Sequence, residues 1–371
     1  MDGLVFRVGL RIADSSYQRF DALKEPGIEK PADPLKTGSK ASLIPWETLG
    51  RAGRWFVSSG PSRDEIAGFL KTEALEPIRV YAGLNSAETS RARARLALEE
   101  LKRVDAFCRS KLVIVTPTGT GLVDPAAMNP LEYLAGGDIA SVAVQYSYLA
   151  SWLTLLVEPA YGAEAARELF MAVYDYWTKL PPDRRPKLYL FGLSLGALNS
   201  DLSVDLFDIV ADPFQGALWS GPPFSSKTWR YVAQDRVPDS PAWLPRFRDS
   251  SIIRFKNQEN ALHIPGAEWS PIRIVYLQYA SDPITFFDPR ILYRRPEWMI
   301  EPRGPDVSPY FQWFPIVTML QLLIDIMAAN STPIGYGHVF APEHYIDAWV
   351  EIMDLEWPAD QILRLKSLFA R

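Results

Sequence analysis

A serine hydroxyl attacks a carbonyl only when a neighbouring base takes its proton, so the residues that could do this chemistry are a serine held for attack and the histidines that could serve it. Residues 187 to 200, KLYLFGLSLGALNS, contain Gly192-Leu193-Ser194-Leu195-Gly196, a G-x-S-x-G pattern. The five-residue string alone is common. Its setting is more specific, because it follows an apolar β-forming run and opens into Leu195-Gly196-Ala197-Leu198, a helix start. A serine at the tip of such a sharp strand-to-helix turn sits in a strained conformation, and small residues two places on either side let strand and helix pack closely. Ser194 Oγ is then expected to project from the strand end. The N–H of Leu195, at the helix N-terminus, is expected to point at the oxyanion that forms during attack.

Only three histidines, His263, His338 and His344, are available as base. Enzymes built on this elbow run serine, acid, histidine along the chain, which disfavours His263. His338 lies in the turn-forming stretch TPIGYGHVF just before a helix expected from about Pro342; His344 falls inside that helix's first turn, where a solvent-facing or capping role is expected. The acid should stand just past a late strand, where it accepts the histidine Nδ1–H and holds the tautomer. RIVYLQYASDPITFFD supplies Asp282 directly after an apolar run, with Pro283 blocking further strand and Asp288 as the fallback. LVIVTPTGTGLVD offers a second oxyanion donor from the loop after an earlier strand, at Thr118 or Gly119. That glycine-rich stretch lacks the lysine of a phosphate-binding loop, which argues against nucleotide binding.

These residues need a scaffold to bring them together. The chain has 371 residues, 39 basic and 44 acidic for a formal charge of −5, and one cysteine, Cys108. Neither sign forms a long run, so no nucleic-acid footprint is expected; no internal disulfide is available, and no cofactor or metal is expected. Residues 1 to 76 lack clear strands and are expected to wrap the body. From Pro77 short apolar runs alternate with helical patterns: strands at 78–84, 112–116, 142–146, 188–191, 217–220 and 272–279, with helices at 87–108 and 163–180. Cys108 falls on the apolar stripe of the first of these helices. The alternation predicts an α/β fold over 77–371, a mostly parallel sheet with helices on both faces. Pro- and Trp-rich insertions at about 221–270 and 283–315 break the rhythm, either as a lid or as surface loops anchored by aromatics. The longest apolar runs, 141–157 and 314–329, read as a buried strand entering a helix and as a buried helix; the start, MDGLVFRVGLR, has no signal-peptide core, so a soluble domain is expected.

Blocks of the sequence also resemble a bacterial α/β-hydrolase family in which an N-terminal multi-helix membrane domain precedes the hydrolase domain. They are SLIPWETLGRAGRWFV (42–57), PIRVYAGLNSA (77–87), TPTGTGLVDP (116–125), QYSYLASWL (145–153), RPKLYLFGLSLGALNS (185–200), GALWSGPP (216–223), YLQYASDP (276–283) and PIGYGH (333–338). The resemblance implies the α/β-hydrolase fold, places the family's serine, S-D-P and G-x-G-H elements on Ser194, Asp282 and His338, and implies that membrane helices precede this chain in the natural protein. It departs from the family pattern at Leu193, where an acidic residue is frequent, and at Tyr279, where a histidine is frequent. The expectation is an ester hydrolase working through an acyl-enzyme on a small-molecule or lipid-like ester. The same three residues would serve acyl transfer to an alcohol, and a non-catalytic membrane-associated binding domain is the third reading.

Overall fold

A computed structural model of the protein describes residue 21, residues 27 to 148 and residues 162 to 370. Its sheet holds β1 Ile78–Ala82, β2 Lys111–Thr116, β3 Ile139–Val144, β4 Lys187–Leu193, β5 Gly216–Ser220, β6 Ile253–Lys256 and β7 Arg273–Leu277. The strands lie in the order β1-β3-β2-β4-β5-β7-β6, and every neighbouring pair is parallel. Strands covered on both faces have no solvent side to mark with polar residues. Their sequences are therefore continuous rather than alternating runs, and every residue of β1, β3 and β5 is buried.

The connections decide which face each helix covers. Helices α1 Gly50–Ser58 and α2 Arg63–Leu70 precede the sheet; α3 Ser90–Arg103, α4 Pro125–Leu134, α5 Ala163–Trp177 and α6 Leu195–Ser203 link β1 through β5 in turn. The steps β1 to β2, β3 to β4 and β4 to β5 run one way across the sheet, whereas β2 to β3 runs back. Right-handed crossovers then put α3, α5 and α6 on one face and α4 on the other. The contacts agree: α3 packs on α5 and α5 on α6, while α4 packs on α9 Pro342–Met353, with α10 Ala359–Phe369 beside it.

Register levels the ends of the central strands. Thr116 pairs with Gly192, Leu193 with Ser220, and Ser220 with Leu277. The loops that begin at Pro117, Ser194, Gly221 and Gln278 therefore leave one edge of the sheet side by side, the C-terminal edge, where open α/β sheets bind ligands.

Several expectations shift. The insertion expected at 221–270 contains helix α7 Lys227–Gln234 and the edge strand β6, and it is not simply loop. Cys108 lies past the end of α3, in a 3₁₀ turn, and is exposed rather than on the helix stripe. Helix α8 Val317–Met327, expected buried, buries only Thr318, Leu322 and Ile326; Val317, Leu320, Ile324 and Met327 are each at least half exposed. An all-round apolar sequence left one face of this helix without a partner among the described residues. The helix expected after β3 falls within residues 149 to 161, outside the described residues. No described helix is long and apolar enough to cross a membrane.

Indole nitrogens pin the two insertions. Trp229 donates to Gln278 Oε1 at 2.7 Å, Trp243 to the Pro302 carbonyl at 2.8 Å, Trp269 to Glu351 at 3.0 Å, Trp298 to the Phe286 carbonyl at 3.2 Å and Trp313 to the Ile291 carbonyl at 3.0 Å. Each ring contributes apolar area while its one polar atom is satisfied, so these tryptophans act as anchors.

Candidate functional site

Ser194 stands between the last residue of β4 and the first of α6 with φ 60° and ψ −125°, a conformation rare for a residue with a side chain. It is buried. Its N–H donates to the Ser220 carbonyl at 2.9 Å, and its own carbonyl accepts from Ala197 at 3.0 Å. The flanking glycines are required by packing, because a Cβ on Gly192 would lie 2.4 Å from the Gly196 carbonyl carbon and one on Gly196 would lie 2.2 Å from the Thr116 carbonyl oxygen. Strand, turn and helix close to backbone contact here. The Leu195 amide is at the first position of α6, where an N–H has no acceptor within its own helix.

Asp282 and His338 meet. Asp282 Oδ2 and His338 Nδ1 are 2.7 Å apart, and both side chains are buried. Asp282 also caps the single helical turn Pro283–Phe286, accepting from Ile284 N at 2.9 Å and from Thr285 Oγ1 at 3.0 Å. A carboxylate that takes these donors makes Nδ1 the protonated nitrogen of the imidazole, which leaves a lone pair on Nε2. His338 Nε2 is buried and has no hydrogen-bond partner among the described residues.

The imidazole rests on Gly221, which has φ +51°; a Cβ there would lie 2.5 Å from His338 Cε1. Gly221 is the next residue after Ser220, whose carbonyl holds the Ser194 amide. The serine turn and the histidine ring are thus seated on consecutive residues, the last of β5 and the first of the loop after it. The two are linked only through this strand end: no hydrogen bond joins Ser194 Oγ to His338 Nε2, which has no partner among the described residues, while Nδ1 is engaged by Asp282. An imidazole held in this way can take a proton through Nε2 from a group brought within reach of it.

The remaining sequence candidates separate clearly. His263 is exposed in the insertion. Asp288 is engaged with Arg290, at 2.6 Å for its shortest contact. His344 does not face solvent as expected: it is buried, and its Nδ1 is hydrogen-bonded to the Tyr279 hydroxyl, which itself accepts from Ala341 N at 3.1 Å. Burial, with Lys256 and Lys366 nearby, pushes its pKa down to about 4, so the ring is neutral near neutral pH. The Thr118 amide is spent inside its own loop, donating to the Leu122 carbonyl at 3.0 Å, so it is not available to a substrate oxygen in this conformation.

Two residues escaped sequence reading. Gly221 lay within a quoted block, but its close approach to His338 needs the fold. Asp124 ends the glycine-rich loop, caps α4 through Ala126 N at 2.9 Å and accepts from Tyr345 Oη at 2.8 Å. Burial raises its pKa to about 6, against the pull of Tyr345, Ala126 and the positive charge His338 can carry. Its helix-cap position before Pro125 was the only local signal. Among the described residues no group of three or more His, Cys, Asp or Glu side chains could hold a metal ion.

Comparison with known proteins gives two family matches. The model described as "Alpha/beta-hydrolase family" matches residues 78–365, and that described as "Alpha/beta-hydrolase family N-terminus" matches residues 1–61. No curated protein matches. Solved structures with some likeness include an acetyl xylan esterase (14% identity, TM-score 0.26, covering 48% of this chain and 86% of that one). Others are a metagenome-derived lipolytic enzyme (15%, 0.22, 47% and 86%) and the RedJ thioesterase of Streptomyces coelicolor (17%, 0.24, 46% and 78%). Likenesses this distant carry no argument about activity.

Proposed function

Given that this chain belongs to the α/β-hydrolase family, we propose that it is a serine hydrolase that cleaves a carboxylic ester through an acyl-enzyme, with Ser194 as nucleophile, His338 as base and Asp282 as the acid that orients it. The observation that carries this reading is the 2.7 Å Asp282–His338 pair, whose outer nitrogen is left without a partner beside Gly221. His338 Nε2 takes the Ser194 proton as Oγ bonds to the carbonyl carbon, and the resulting oxyanion is met by the Leu195 amide at the head of α6. His338 then returns the proton to the departing alkoxide. Water repeats the sequence on the acyl-enzyme and releases the acid. Gly119, in the loop after β2, is the candidate for the second oxyanion donor.

A mostly apolar cavity of about 400 Å³ adjoins Asp282; Phe286, Trp298, Phe311 and Leu322 wall it, with Ser281, Asp306 and Asp325 as polar members, and Ser194 and His338 are not among its lining residues. It supports an ester with an apolar, lipid-like portion. The family resemblance alone supports a membrane-attached full-length protein, with a preceding domain holding the hydrolase at a bacterial membrane. Fractionation of the full-length protein tests this: recovery in the soluble fraction after gentle lysis contradicts it.

Hydrolysis of p-nitrophenyl butyrate tests the chemistry. Ser194→Ala and His338→Ala are each expected to lower kcat by about 10³-fold or more, because triad members act as a unit. Asp282→Asn is expected to lower it by about 10³- to 10⁴-fold through the wrong tautomer. Wild-type rates in Ser194→Ala would reject the assignment. Product analysis with added alcohols sets hydrolysis against transfer: a new ester in place of free acid marks acyl transfer.

A further inference from the structure

Asp306 lies in the insertion that follows Asp282, yet it is joined to both loops of the proposed acid–base pair. Its Oδ2 accepts two hydrogen bonds from one residue, the Ser281 N–H at 3.0 Å and the Ser281 hydroxyl at 2.5 Å. Ser281 Oγ in turn accepts the Gly337 N–H at 2.9 Å. Ser281 immediately precedes Asp282, and Gly337 immediately precedes His338. One carboxylate oxygen and one hydroxyl therefore couple the two loops whose next residues form the 2.7 Å pair.

The direction of the hydrogen bonds matters. With its single proton committed to Asp306, the Ser281 hydroxyl presents a lone pair to Gly337, so Asp306 decides which way the hydroxyl points. Gly337 itself has little freedom to drift, since it holds φ +57° and a Cβ there would lie 2.8 Å from Thr332 Cγ2. Other bonds of that turn are internal, from Gly335 N to the Val339 carbonyl at 2.8 Å and from Thr332 Oγ1 to the Tyr336 carbonyl at 2.7 Å, or reach the first insertion, where Gln258 Nε2 donates to the Gly335 carbonyl at 3.1 Å. They shape the turn without tying it to the acid loop. The Ser281 link does that.

We propose that Asp306 is a positioning residue for the reaction, setting through Ser281 the approach of His338 to Asp282. The proposal rests on the serine-hydrolase reading above. It acts through an acceptor oxygen rather than through charge, so an amide that keeps one carbonyl oxygen can replace the carboxylate and a methyl group cannot.

The test compares Asp306→Ala, Asp306→Asn, Ser281→Ala and the Asp306→Ala/Ser281→Ala double variant, each checked for native near-UV circular dichroism. Asp306→Ala and Ser281→Ala are each expected to lower kcat about ten- to a hundredfold, the scale of a small misplacement of reacting groups. The double variant is expected to fall no further than the worse single, because both remove one link. Asp306→Asn is expected to stay within about threefold of wild type.

A second readout needs no turnover. The His338 Nδ1 proton shared with Asp282 gives a low-field proton resonance that should persist in wild type and Asp306→Asn and broaden in both alanine variants. Wild-type kcat and an unchanged resonance in folded Asp306→Ala would overturn the proposal, as would an Asn variant that falls as far as Ala. If Asp306→Ala does not fold, Ser281→Ala decides by the same two criteria. A wild type without Ser194-dependent hydrolysis would count against the serine-hydrolase reading alone, and the resonance would still report on the link.

Discussion

Backbone strain at Ser194, about 1–3 kcal/mol for a residue with a side chain in such a conformation, is held in place by the Ser220 carbonyl on one side and the first turn of α6 on the other. Relief is blocked by the two glycines. Gly196→Ala would press a methyl against the Thr116 carbonyl oxygen, a backbone atom 2.2 Å away that has no rotamer to yield. The expected loss is about 3 kcal/mol of stability, with activity lost alongside; denaturant titration and a steady-state assay check both. His344 allows a pH prediction of definite sign. Its folded pKa, about 4, lies below the ordinary 6.5, so its contribution to stability is full above about pH 6.5 and is lost as pH falls towards 4. His344→Gln should therefore flatten the decline of the denaturant midpoint across that window relative to wild type. At this scale the residues of the proposed site carry local signals in the sequence: Ser194 in its elbow, Asp282 before a proline and His338 in a glycine turn. The sequence did not reveal His344 or Asp124, whose surroundings come from partners 65 and 221 residues away.

Elements position the site by their ends, and the β1 edge of the sheet is secured by charge as well as by packing. Arg79 in β1 donates to Glu132 of α4 at 2.7 Å, to the Phe56 carbonyl of α1 at 2.8 Å and to Asn129 at 2.7 Å, with both charged side chains buried. Burial pushes the Glu132 carboxyl up, and Arg79 opposes that. Arg79→Ala would leave a buried carboxylate without its partner, at an expected cost of about 3–5 kcal/mol measurable as a fall in denaturant midpoint. The central strands were legible because a run buried on both faces is apolar throughout. β6 was hidden because four residues, IRFK, within a proline-rich insertion carry no period. α8 misled for the opposite reason: its apolar sequence gives no mark of which face meets protein, and one face meets none among the described residues.

Across the whole molecule, Ser194 and Asp282 leave the same edge of the sheet because β4, β5 and β7 are adjacent, parallel and in level register, which no local pattern announces. The insertions are fixed by indole hydrogen bonds, and the second of them, with residues 280 to 283 and α8, lines a mostly apolar cavity beside Asp282. A p-nitrophenyl ester series should accordingly show kcat/KM rising from acetate to octanoate; a preference for acetate alone would reject the apolar substrate portion. The central claim, that Ser194 is a nucleophile activated by His338, is tested most directly by labelling the folded protein with a fluorophosphonate and locating the adduct by peptide mass spectrometry. Wild type is expected to carry one adduct on Ser194, with none in Ser194→Ala and strongly slowed labelling in His338→Ala. A folded wild type that stays unlabelled, or a Ser194→Ala variant that labels as fast, would contradict it.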